Sequence, residues 1–218
     1  MFSFKCIKYW RRGVTVSALL AILGCKSNTD THLSTPRATN SATTSTKDHA
    51  APPGVCDLRS RPVNPFEDPR KKATVLIFVR ADCPISNHYA PEIQRLHGKY
   101  TSQGLAFWLV YSDPDTPVTE IVAHLKDYQL TVPALRDPQH ALVKRAGATV
   151  TPEAAVFLAD GRQVYCGRID DRYADFGKER LAPTRRDLDE VLASITKNKT
   201  ITPSRTKAVG CYIPDPSK

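Results

Sequence analysis

The sequence predicts an α/β domain built on a mixed β-sheet, and three observations carry that expectation. Residues 75–79 (Val-Leu-Ile-Phe-Val) form an unbroken apolar run, β-branched and aromatic, as a strand buried on both faces requires. Directly after it the period changes. Ile85, Tyr89, Ile93, Leu96 and Tyr100 recur at three- and four-residue steps, the stripe of a helix packed on that strand. A second apolar run follows at Leu105–Tyr111, and strand–helix–strand in this order implies a right-handed parallel crossover. Residues 154–159, the turn Asp160-Gly161 and residues 162–169 read instead as an antiparallel hairpin, which makes the sheet mixed.

Length and charge set the outer limits. The 218 residues, 41% hydrophobic and 24% charged, hold one globular domain of ordinary size plus appendages, with no internal repeat. The 31 Lys and Arg exceed the 22 Asp and Glu to give a net charge of +9. These basic residues are dispersed, several fall in the amino-terminal leader, and none form a run interleaved with aromatics. A nucleic-acid surface is therefore not expected.

The leader opens with a positive region, Lys5, Lys8, Arg11 and Arg12, followed by an apolar stretch over residues 14–23 that is short for a bilayer span. It ends in Ile22-Leu23-Gly24-Cys25, which resembles the lipobox of bacterial lipoproteins. That resemblance implies removal of residues 1–24, lipidation of Cys25 and an envelope location on the periplasmic or extracytoplasmic side of a membrane. Residues 1–25 are thus read as a lipoprotein-type signal with its anchor cysteine. Residues 26–53 are rich in Ser, Thr, Asn, Ala and Pro with scarcely a large apolar side chain, the composition of a disordered tether.

The domain is expected over residues 54–200. Residues 56–63 suggest a short strand or hairpin, and the proline-rich residues 62–69 lead to the central strand. Beyond the second strand, Thr116 is placed as a helix cap with Pro117 in the first turn and Val118, Ile121, Val122 and Leu125 on the inner face. A short strand near residues 132–135, a helix near 139–146 and a closing helix marked by Leu188, Val191, Leu192 and Ile195 complete the domain. Residues 170–178, with mixed charge and two aromatics, read as an ordered loop near the active face. Its acidic pair Asp170 and Asp171 suits capping or ion pairing better than a metal, for want of a spaced third ligand. Residues 201–218 form a tail that turns apolar again around Val209-Gly210-Cys211-Tyr212-Ile213, as a segment docking on the domain would.

Chemistry concentrates at Cys83. The residue falls where the first strand gives way to the helix, so its sulfur meets unpaired helix amides and the dipole, both of which favour the thiolate. Pro84 fits the first helical turn, Pro91 lies inside the helix, and Thr151-Pro152 stands directly before a later apolar strand. Taken together, the strand, Cys83-Pro84-Ile85-Ser86 at a helix start, the helix proline and the late Thr-Pro resemble the thioredoxin-like superfamily. The resemblance is nearest its redoxin branch, which includes alkyl-hydroperoxide-reductase and thiol-specific-antioxidant proteins, and it covers about residues 55–200. It implies a thioredoxin-like fold, a central mixed sheet flanked by helices on both faces, with Cys83 reactive and a cis-proline at Pro152 facing it. It also implies thiols or disulfides, of proteins or small molecules, as reaction partners, and no bound cofactor.

The departures are informative. Ser86 stands where Cys-x-x-Cys would have its second cysteine, so no disulfide forms within the motif, although Ser86 could hydrogen-bond the Cys83 sulfur. Asp82 replaces the common aromatic residue, and its charge opposes a thiolate. Ile77 takes the place of a buried acid. Leu76, Val79 and Arg80 stand where a peroxiredoxin signature would have Pro and Thr or Ser. Of the six cysteines, Cys6 leaves with the leader and Cys25 is lipidated. Cys56, Cys83, Cys166 and Cys211 remain. Cys211 is expected to fold back on Cys83 as resolving thiol or disulfide partner; Cys166 is expected in the core or paired with Cys56.

Three functions follow. The first is a thiol-disulfide oxidoreductase with Cys83 as nucleophile, Cys211 resolving, and Ser86 and Pro152 supporting the site. The second is peroxiredoxin-like peroxide reduction through a sulfenic acid, with Arg80 steadying the thiolate. The third is a copper-binding, metallochaperone-like module using Cys83, His88 and Cys211, or a redox-dead scaffold of the same shape.

Overall fold

The computed structural model describes residues 51–214. The leader, Cys25 and the tether up to residue 50 lie outside the described residues.

The strand expected at residues 75–79 is the middle of the molecule. Strand β1 (Cys56–Asp57) is followed by β2 (Ala73–Val79), α1 (Pro84–Tyr100), a 3-10 turn (Thr101–Gln103), β3 (Leu105–Tyr111) and α2 (Val118–Asp127). Then come β4 (Ala134–Arg136), α3 (Ala141–Ala146), β5 (Val150–Thr151), β6 (Glu153–Leu158), β7 (Gln163–Gly167), β8 (Tyr173–Asp175) and β9 (Lys178–Glu179). Helix α4 (Asp187–Thr196), β10 (Ser204–Arg205) and β11 (Cys211–Tyr212) complete the described elements. Seven strands form one sheet in the order β1-β4-β3-β2-β6-β7-β10. Strand β2 runs parallel to β3 and antiparallel to β6, so every residue of β2 is buried and the sheet is mixed.

Alternation along β2 assigns the helices to faces. Val75, Ile77 and Val79 share one apolar cluster with Tyr89, Ala90, Ile93, Leu96 and Tyr100 of α1, Ile121 of α2 and Leu188, Leu192 and Ile195 of α4. Leu76 and Phe78 share the opposite cluster with Leu142, Val143 and Ala146 of α3 and with Ile213 of the tail. Each Val, Leu, Ile or Phe among these, fully buried, contributes about 1.5–3 kcal/mol. These two layers hold the C-terminal end of β2, and so the start of α1, in a fixed place.

Several local expectations are corrected. Pro117, not Thr116, takes the N-cap position of α2, with extended backbone (φ −71°, ψ 151°). Within α2, Val122 is 50% exposed, and the buried places belong to Ile121 and His124. A histidine fills an inner position because its ring nitrogens find partners there. Cys56 and Cys166 cannot pair: Cys56 lies on the edge strand β1 and Cys166 on β7, five strand spacings or about 24 Å away, against the 7 Å limit for bridged Cα atoms. Cys166 is a core residue whose thiol donates to Glu153 Oε1 at 3.5 Å.

The tail returns to the domain at two points. Strand β10 adds to β7 in parallel, with Arg205 donating to the carbonyls of Ala146 and Gly147. Strand β11 pairs antiparallel with β5, setting Cys211 opposite Thr151 and Tyr212 opposite Val150. The Ile213 amide then donates to the Thr149 carbonyl at 3.0 Å.

Candidate active site

Strand β2 ends at Val79, and after the three residues Arg80, Ala81 and Asp82 the chain reaches Cys83 at the start of α1. Cys83 is the N-cap (φ −88°, ψ 110°), with Pro84 in the first turn. In that position the side chain receives a first-turn amide, and the Ser86 N–H points at Sγ at 3.5 Å. The Ser86 hydroxyl is buried beside this sulfur without a hydrogen-bond partner of its own, and its dipole lowers the Cys83 value. On its other side the Cys83 thiol donates to the carbonyl of Thr151 at 3.1 Å. The peptide bond that follows, Thr151-Pro152, is cis. Cys83, Ser86 and Pro152 are thus brought together by the strand-to-helix junction and the β5–β6 corner.

Cys211 completes the group. Its pairing with Thr151, whose carbonyl accepts the Cys83 thiol, brings Cys211 beside Cys83. Burial pushes the Cys83 thiol up, but the Cys211 thiol, the Ser86 hydroxyl and amide and the Cys211 amide outweigh it and hold the group below the ordinary thiol value. For Cys211 the signs reverse: burial, then the hydrogen bond and charge of Cys83, push it up to about 12. The pair is therefore polarised: Cys83 is the thiol that loses its proton more readily and Cys211 the one that keeps it. Both cysteines are free thiols.

The surroundings add one finding and change one expectation. Cys83 has no exposed surface, and β11, paired with β5, packs beside it; its activation is present without open access. Arg80 does not steady the Cys83 thiolate. Its guanidinium holds Asp82 at 2.8 Å and Asp113 at 3.7 Å, which draws the Asp82 charge away from the helix start.

His88 is committed elsewhere. It faces the Tyr173 hydroxyl at 2.7 Å, Arg172 at 3.0 Å and Glu179 at 3.3 Å, fastening the β8–β9 hairpin to α1. Among the described residues no group of three or more His, Cys, Asp or Glu side chains is placed to share a metal ion. Asp170 accepts from the Tyr89 hydroxyl at 2.6 Å, and Asp171 from the amides of Thr184 and Arg185, so both serve as local caps.

Other residues were not singled out from the sequence. The Thr151 carbonyl joins the site through backbone, which residue type does not announce. Asn87 ties the segment before Cys83 to the interior: its amide nitrogen donates to the Ala81 carbonyl at 3.0 Å, and its Oδ1 faces His124 Nε2 at 2.9 Å. His124 Nδ1 meets the Tyr111 hydroxyl at 2.7 Å. Because Oδ1 only accepts, Nε2 carries the proton and Tyr111 donates to Nδ1. A polar residue at the inner face of α2 was the available signal for this relay.

The sequence profile of the Redoxin family matches residues 48–177, more than half of the chain. The chain belongs to the redoxin family. No curated protein matches it in sequence. In structure it is similar to a hypothetical protein from Sinorhizobium meliloti 1021, at 24% identity and TM-score 0.64 over 73% of this chain and 88% of the other. An uncharacterized conserved protein from Geobacillus kaustophilus is similar at 21% identity and TM-score 0.64, covering 73% and 86%. A secreted disulfide oxidoreductase from Mycobacterium tuberculosis is similar at 17% identity and TM-score 0.46, covering 66% and 93%. The fold is the thioredoxin-like α/β fold. In this redoxin the tail bearing Cys211 lies beyond the matched residues, so the second thiol of the site comes from outside the family region.

Proposed function

We propose that this redoxin is a thiol-disulfide oxidoreductase in which Cys83 is the nucleophile and Cys211 the resolving thiol. The carrying observation is the polarised pair beside the cis-proline. The Cys83 thiolate attacks a disulfide, forming a mixed disulfide and releasing one partner sulfur as thiolate. The Cys211 thiol then gives its proton to the released partner thiolate, attacks Cys83 Sγ, expels the second partner sulfur and closes a Cys83–Cys211 disulfide. Once Cys83 is in the mixed disulfide, the charge that helps hold the proton on Cys211 is gone. Ser86 and its amide stabilise the Cys83 thiolate, and Pro152 fixes the Thr151 carbonyl beside it. The docked tail is the closed state, and a protein disulfide reaches Cys83 when β11 leaves β5.

Disulfide mapping of the full chain before and after oxidation tests this. A Cys83–Cys211 link and loss of disulfide exchange in Cys83→Ala are expected. Unchanged exchange in that variant overturns the proposal.

One observation favours a second reading, peroxide reduction: a covered sulfur admits a small oxidant more easily than a protein. Peroxide would oxidise Cys83 to a sulfenic acid, and Cys211 would condense with it, releasing water. Stopped-flow consumption of hydrogen peroxide no faster than by free cysteine excludes it.

For location, we propose a lipid anchor on Cys25 at the bacterial envelope, which the basic leader, the apolar stretch and Ile22-Leu23-Gly24-Cys25 support. Incorporation of a fatty-acid label that is lost in Cys25→Ala tests it.

A further inference from the structure

We propose that electrons return to this protein through Cys211, a reducing partner's thiolate attacking the Cys211 sulfur of the Cys83–Cys211 disulfide rather than the Cys83 sulfur. The inference rests on the disulfide proposed above and adds which of its two atoms reacts, and on which surface.

Access decides first. Cys83 has no exposed surface, whereas Cys211 is part-exposed on the outer strand of a two-stranded ribbon. Displacement at a disulfide is in line, so the attacking sulfur approaches from the side opposite the leaving one. For attack on Cys211 the leaving sulfur is the inner one, and the approach runs from solvent. For attack on Cys83 the leaving sulfur is the outer one, and the approach would have to come from the interior, where Cys83 has no exposed surface.

Departure decides second. Expulsion of Cys83 delivers a thiolate into the site that stabilises one, under the Ser86 amide and hydroxyl. Expulsion of Cys211 would leave a thiolate on the group that burial and the neighbouring sulfur keep protonated. The lower-pKa thiol is the faster leaving group, so both criteria select the same atom.

The partner class follows. The ring of Tyr212 is 67% exposed beside Cys211, and Arg80 and Asp82 lie within electrostatic reach of that sulfur. This surface suits a protein dithiol donor that packs on an aromatic ring. The step balances. The donor thiolate forms a bond to Cys211 Sγ, the Cys211–Cys83 bond breaks, and its electron pair leaves on Cys83. The donor's second thiol then displaces Cys211, which takes up a proton, and the donor ends as a disulfide.

Glutathione serves as a one-thiol probe on the oxidised full chain. After acid quenching and alkylation, mass spectrometry locates the glutathione. Adduct on Cys211 with Cys83 alkylated is expected in at least about tenfold excess over the reverse, given the leaving-group difference. A predominant adduct on Cys83 overturns the inference while leaving the disulfide itself intact. Failure to find any Cys83–Cys211 disulfide after oxidation overturns the underlying reading and this inference with it. As a second readout, Ser86→Ala is expected to slow reduction severalfold, because it worsens Cys83 as a leaving group. An unchanged rate counts against attack at Cys211.

Discussion

Gly210 and Thr151 are packed so closely that a Cβ on Gly210 would stand 2.1 Å from the Thr151 carbonyl oxygen and 2.6 Å from its carbonyl carbon. The contact is to backbone, which has no flexible end to yield. That same carbonyl accepts the Cys83 thiol, so the fit of one glycine sets how β11 covers the reactive sulfur. Gly210→Ala is expected to push the ribbon off β5 and raise the alkylation rate of Cys83 by at least about tenfold, as expected when closed populations shift by about 1.4 kcal/mol. Alkylation as slow as in the parent protein would show that the strand is not the cover.

Much of this arrangement was legible in the sequence because it is written in side-chain type and period. The apolar run of β2, the three-and-four stripe of α1 and the Cys-Pro junction between them specify where the nucleophile sits. The apolar return around Cys211 marks a docking tail. What was not legible depends on groups without a type signature or on cross-sheet distance. The Thr151 carbonyl is backbone, and the order of strands that separates Cys56 from Cys166 is a tertiary fact. Val122 and His124 exchanged places in the reading of α2 because burial follows hydrogen-bond satisfaction as well as apolarity. His124 finds two partners and so goes inside.

Removal of the second thiol tests the polarisation directly. The Cys211 thiol is the largest of the influences that lower Cys83, so Cys211→Ala leaves burial less opposed and raises the Cys83 value. Ultraviolet titration of thiolate absorbance, taken as a difference against Cys83→Ala, reads the shift. A midpoint that stays put or moves down contradicts the assignment of Cys211 as a donor to Cys83.

The relay from Tyr111 through His124 and Asn87 to Ala81 holds the segment that precedes Cys83. Asn87→Ala strands a part-buried ring N–H and a carbonyl, a loss of about 1–3 kcal/mol. Urea unfolding of Asn87→Ala, His124→Ala and the double variant measures the coupling. It is expected at about 0.5 kcal/mol or more, and simple additivity would show that the two side chains act separately.

The contact between α1 and α4 supplies the acid limit of the fold. Burial pushes the Asp189 carboxyl up, but the Lys99 ammonium at 2.8 Å, the Tyr100 hydroxyl and the Arg95 guanidinium at 2.8 Å outweigh it and hold it at about 2. In the unfolded chain an aspartate titrates near about 3.9. The folded state therefore binds this proton less readily, and the stabilisation is complete above about pH 4 and lost as pH falls toward about 2. Its size is on the order of 1 kcal/mol once solvent screening of the partly exposed Lys99 and Arg95 is included. Asp189→Asn removes both the contribution and its pH dependence, so the gap between variant and parent closes in acid. Urea midpoints for the two proteins at neutral pH and near about pH 2 measure that gap, and a gap of equal size at both would mean that the carboxylate charge does not fasten α4 to α1.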